Sequence, residues 1–210
     1  MSNPDAPADG LMSKHRLEAL SDGVFAVVMT LLVLEIKPEI EPHATNEAMR
    51  HMLQGLVLPL LTYTLAFFLA GVFWNLHHRK FSLLRHTNTL HTGLTLAFLF
   101  TVTLLPVSVS IYLKAKMNSL ALVIYFGNFT LIALPLLASW LYARRVGLTD
   151  ASRPMAEFTH LTRRMIAMTS LFLFATAVAW FEWSLIWILF AMPVVFYYRL
   201  KERRTKTASA

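Results

Sequence analysis

The stretch of residues 17–36 runs LEALSDGVFAVVMTLLVLEI. Glu18, Ser21 and Asp22 occupy its first two turns, while Val24 to Leu34 is apolar throughout apart from Thr30. That apolar part is short for a helix facing lipid along its length, because a bilayer core of about 30 Å needs roughly 20 residues. A polar entrance followed by an apolar middle fits a helix inside a bundle. At about 100° per residue, Leu20, Val24, Val27, Leu31 and Leu34 form one aliphatic stripe. Beside it run Ala19, Gly23, Ala26 and Thr30, whose small side chains let another helix approach closely.

The rest of the chain agrees with a membrane setting. Of its 210 residues, 56% are hydrophobic and 15% charged, with mean hydropathy +0.54. Soluble domains carry roughly 45–50% apolar and about 25% charged residues. Disorder is excluded by 15 Phe and 5 Trp, far too much apolar area for such a segment. With no cysteine, disulfides, thiolate metal sites and cysteine nucleophiles are excluded.

The pattern predicts an all-α integral membrane protein with six transmembrane helices, at about residues 17–36, 55–75, 90–113, 119–142, 165–181 and 183–198. Residues 15–198 form one such domain, between a polar tail (1–14) and a basic tail (199–210). The first tail has no basic n-region or cleavage pattern and reads as a flexible lead. Pro59, Pro106, Pro135 and Pro193 fall inside four of the segments, as membrane helices tolerate. Glu182 alone separates the last two, so they pair as a tight hairpin. No repeat of 20–50 residues is evident.

Charge sets the orientation. Fifteen of the 19 basic residues fall on one side: Lys14 and Arg16, the Arg79–Arg85 connection, the Arg144–Arg164 connection, and the tail after Tyr198. Lys37, Arg50, Lys114 and Lys116 lie opposite. Both termini are therefore expected in the cytoplasm. The net charge of +7 and pI of about 9.9 follow from this topology, and a nucleic-acid partner is not expected.

Asp22 lies roughly opposite the aliphatic stripe, where it would anchor the first helix to a neighbour. Trp74, Asn75, His77, His78, Arg79 and Lys80 reach the same level, so a His or Arg donor is expected for it. A metal site on His77, His78, His86 and His91 lacks both HExxH spacing and cysteine. Ser21, Asp22 and His77 make no hydrolase triad, since adjacent residues diverge on a helix and GxSxG is missing. No enzyme activity, metal or cofactor is expected.

Arg16-Leu-Glu-Ala-Leu20-Ser21-Asp22-Gly23 resembles the R-x-x-x-F-S-D-G signature of the transmembrane protein 175 family of potassium channels, prokaryotic branch, with Leu20 in place of Phe. The resemblance extends to Trp74-x-x-His77-His78-x-x-Phe81 and to Leu104-Leu105-Pro106, followed by Val107 where Phe is usual. It implies a six-helix subunit of a homotetramer in the bacterial inner membrane, its first helices lining a central pore that conducts K⁺ passively. Carried over position by position, the hydrophobic constrictions fall on Val27, Leu31 and Leu34, and the selectivity layer on Thr30. Arg16, Ser21, Asp22, Gly23, Trp74 and His77 become the network holding the pore helix, with His77 a pH-responsive candidate. Val27 is smaller than the Ile or Leu usual there, which implies a wider constriction. The chain carries no TVGYG filter and no voltage-sensing Arg repeat. The rival reading is a proton-coupled secondary transporter using Asp22 and nearby His and Arg residues. Against it stand an aliphatic pathway and the lack of evident inverted repeats.

Overall fold

The structure is a computed structural model that describes residues 14–38, 45–115 and 118–181. Its described elements are helical: α1 (Lys14–Leu31), a 3₁₀ turn (Leu32–Glu35), α2 (Asn46–Gly55), α3 (Val57–Ser82), α4 (Thr89–Thr103), α5 (Leu105–Lys114), α6 (Ser119–Arg145) and α7 (Met155–Trp180). Five stretches are long and apolar enough to cross a membrane: Lys14–Glu35, Asn46–Ser82, Thr89–Lys114, Ser119–Arg145 and Met155–Trp180. The expected sixth helix at 183–198, with Pro193, and the tails 1–13 and 199–210 lie outside the described residues.

Three boundaries differ from expectation, two of them through proline. The second span is preceded by α2, capped by the Thr45 hydroxyl accepting from the Ala48 amide at 3.2 Å. α2 stops at Gly55, four residues before Pro59, whose ring would strike that carbonyl. The third span is broken at Leu104, because Pro106 cannot donate to the Val102 carbonyl. The Asn128 side chain donates to the nearby Thr101 carbonyl at 3.2 Å, so α6 satisfies backbone at the break. In the fifth span, the helix starts ten residues before the predicted 165, at Met155. Residues 155–164 are too polar for an apolar window yet continue the same helix.

In hydrocarbon, apolar side chains gain little by leaving lipid, so packing and interhelical hydrogen bonds hold the bundle together, the bonds averaging about 0.6 kcal/mol. The main core is aromatic: Phe73, Phe129 and Phe172 meet with centroids 5.0–6.1 Å apart. α6 and α7 are joined by Thr130–Thr176 at 3.0 Å and by the Trp140 indole donating to Thr162 at 2.8 Å. At the basic end, a smaller cluster gathers Leu17, Phe81, Leu84, Ala143 and Leu148.

The loops at that end clasp each other. Arg85 N–H donates to the Leu148 carbonyl and Asp150 N–H to that of Leu83, at 2.9 and 3.0 Å. Gly147, with φ of 73°, makes the left-handed turn that brings Leu148 back. The Ser152 hydroxyl and amide both donate to Asp150, holding its carboxyl below the usual carboxylate range.

Candidate pore-lining face and its anchor

α1 turns Leu17, Ser21, Phe25 and Val28 inward, and the 3₁₀ turn continues that buried line with Leu32. This face packs on α3 and α4, with the Phe25 and Phe98 rings 5.8 Å apart. The other face has no packing partner among the described residues. Val27 is 56% exposed, Leu31 42% and Leu34 63%, and Thr30 is exposed between them. Val24 departs from the predicted stripe, being half-buried against the core. The stripe therefore reduces to Leu20, Val27, Leu31 and Leu34.

The expected single helix over 17–36 tightens to 3₁₀ after Leu31. In that geometry residues i and i+3 eclipse, which aligns Leu34 with Leu31 instead of letting it lag by part of a turn. The Thr30 hydroxyl donates to the Val27 carbonyl at 2.8 Å and the Ala26 carbonyl at 3.0 Å. With its only proton held by the backbone, Oγ1 keeps acceptor lone pairs for an approaching cation. Gly23 is exposed, and a Cβ built there meets no described residue within 4 Å, so packing among the described residues gives no reason for a glycine at that position.

Three polar contacts tie α1 to α3. The Trp74 indole donates to the Asp22 carboxylate at 2.8 Å. Ser21 Oγ lies 2.9 Å from His77 Nε2, and the Glu18 carboxylate lies 3.4 Å from His78 Nδ1. The expected His or Arg donor to Asp22 is thus corrected to Trp74. His77 is engaged one residue earlier by Ser21, and Arg79 Nε donates to Asn75 at 3.2 Å. Ser21 Oγ also donates to the Leu17 carbonyl at 2.8 Å, so the hydroxyl ties the imidazole of α3 to the backbone of α1. His77 Nδ1 has no partner among the described residues. The imidazole lies between Phe81 and Phe98, at 4.6 and 5.0 Å. Arg16 is exposed on the first turn, as are Leu20 and, on α5, Val107.

Sequence reading missed the Glu18–His78 contact, although Glu18 precedes Asp22 by one helical turn and so shares its face. It also missed Lys80, which is wholly buried: its amine donates to Ser139 Oγ at 3.0 Å and Thr95 Oγ1 at 3.5 Å, 5.1 Å from the Phe81 ring centroid. No sequence pattern marks a lysine as inward when arginine and histidine surround it. The four histidines do not converge: His77 and His91 are buried, His78 and His86 exposed.

Residues 16–106 match the profile of the family described as endosomal/lysosomal potassium channel TMEM175. A potassium channel of Streptomyces collinus is 30% identical over 161 residues, spanning 74% of this chain and 77% of that relative. A potassium channel of a Chryseobacterium species is 37% identical over 97 residues, 46% of this chain and about half (47%) of the relative. The crystal structure of a lysosomal potassium-selective channel TMEM175 homolog from Chamaesiphon minutus aligns with a TM-score of 0.75 at 26% identity, over 90% of this chain and 97% of that one. The shared segment carries the α1 motif, its α3 partners and the proline break, and the chain belongs to the TMEM175 family of multi-pass membrane channels.

Proposed function

We propose that this protein is a potassium-preferring cation channel, conducting passively through a pore lined by the first helices of four identical subunits. The observation that carries this reading is the outward face of α1, where Val27, Thr30, Leu31 and Leu34 stand exposed among the described residues while the opposite face is buried. In a tetramer those faces converge on the axis. Rings of aliphatic side chains close a pore by dewetting, and a ring of Thr30 oxygens replaces part of the hydration shell of K⁺. Gly23, with Ala19 and Ala26 beside it, suits close approach between neighbouring first helices. A sixth helix at 183–198, cytoplasmic termini and a bacterial inner-membrane location complete the proposal, supported by the basic residues clustered at one end. Asp22 is held by Trp74 as an anchor of the pore helix, which supports a channel over a proton-coupled carrier.

The deciding test is the reversal potential of purified protein in planar bilayers under a K⁺/Na⁺ gradient, comparing the parent with Thr30→Ala and Leu31→Ala. A K⁺-directed reversal is expected in the parent, moving toward zero in Thr30→Ala, with larger conductance in Leu31→Ala. Absence of current, with flux only under a proton gradient and abolished by Asp22→Asn, would overturn the channel reading.

A further inference from the structure

We propose that the basic end of the α3–α7 seam is a binding site for the phosphate of an anionic phospholipid. The two helices meet at Phe73 and Phe172, whose ring centroids are 5.6 Å apart, and farther along leave an open cavity of about 330 Å³. Arg79 and Ser82 of α3 face His160, Arg164 and Glu157 of α7 around it. Leu83 and Leu161, both buried, add apolar wall.

The position is specific in depth. Arg79 is the first Asp, Glu, Lys or Arg along α3, and Arg164 the last along α7. Each marks where its helix leaves hydrocarbon, so the cavity lies at headgroup level, where basic pockets between membrane helices take lipid phosphates. Among the described residues that line the cavity stand two guanidiniums, one carboxylate and His160. Arg79 is steadied by donating from Nε to Asn75, and no described residue accepts from its terminal nitrogens. A guanidinium offers paired N–H groups that match two phosphate oxygens. A free phosphate has the same chemistry, but the depth of Arg79 and Arg164, at the ends of apolar helical stretches, favours the lipid.

The experiment is native mass spectrometry of the intact protein with phosphatidylglycerol or phosphatidylcholine, repeated with excess inorganic phosphate. Phosphatidylglycerol should be retained over phosphatidylcholine, with retention falling about fivefold for each of Arg79→Gln and Arg164→Gln. Glu157→Gln, an exposed change that removes the opposing charge, should raise retention and guards against misfolding of the arginine variants. Equal retention of the two lipids, or a preference indifferent to all three substitutions, overturns the proposal. Displacement of the lipid by inorganic phosphate also overturns it and assigns the cavity to the free anion.

Discussion

Asp22 and Lys80 are ionisable residues on membrane-spanning helices with opposite legibility. The motif around Asp22 could be read from sequence, but its donor could not, because six side chains able to donate lie within residues 74–80 and only their relative depth separates them. Lys80 was hidden by its neighbours, and its burial follows from the turn of α3 that faces α6. Two hydroxyls and the face of the Phe81 ring surround its amine, and no described residue forms a salt bridge with it. Replacing such a buried group by an apolar one of similar volume is neutral or stabilising, by up to about 4 kcal/mol. Ser139 also donates to the Leu136 carbonyl at 2.9 Å, so it is not orphaned by the change. Lys80→Met should therefore raise or leave unchanged the thermal midpoint in detergent; a loss above about 2 kcal/mol would mean that the amine holds α3 to α6.

At the scale of elements, prolines placed the breaks that periodicity had smoothed over. The α4–α5 break begins with Pro106, but tertiary contacts maintain it. Ser108 donates to Asn128 at 3.3 Å, Asn128 donates to Thr101, and the rings of Tyr112 and Tyr125 stack at 5.3 Å. Pro106→Ala is therefore expected to preserve the break, changing stability by under about 1 kcal/mol, since α5 stays docked. Asn128→Leu should cost more, on the order of 1–3 kcal/mol, by leaving the Thr101 carbonyl unpaired in an apolar setting. Comparing chemical denaturation of the two variants checks the order; the reverse order would make the ring alone responsible. The early start of α7 was illegible for a related reason. Hydropathy reports where a helix meets lipid, whereas backbone hydrogen bonding continues into water wherever the sequence permits.

For the whole molecule, the absence of cysteine makes thiol accessibility a clean assay of the pore-lining surface proposed above. Leu31→Cys should react with a small water-borne thiol reagent while the channel conducts. Phe25→Cys, on the buried face of the same helix, should remain at least tenfold slower. Equal inaccessibility of both in a conducting protein would remove α1 from the pore.

The membrane class, five apolar spans, the line of Val27, Leu31 and Leu34 along α1, and the motif shared by the first two spans are legible in the linear sequence. These properties depend on composition, helical period and short spacing, which a linear chain carries locally. Packing between helices set the rest: Trp74 donates to Asp22, His77 pairs with Ser21, Lys80 turns inward and Asn128 caps the α4–α5 break. Each depends on the depth and rotation of one helix against another, set by side-chain packing between residues about 20 to 60 positions apart. No periodicity within a single helix encodes that geometry.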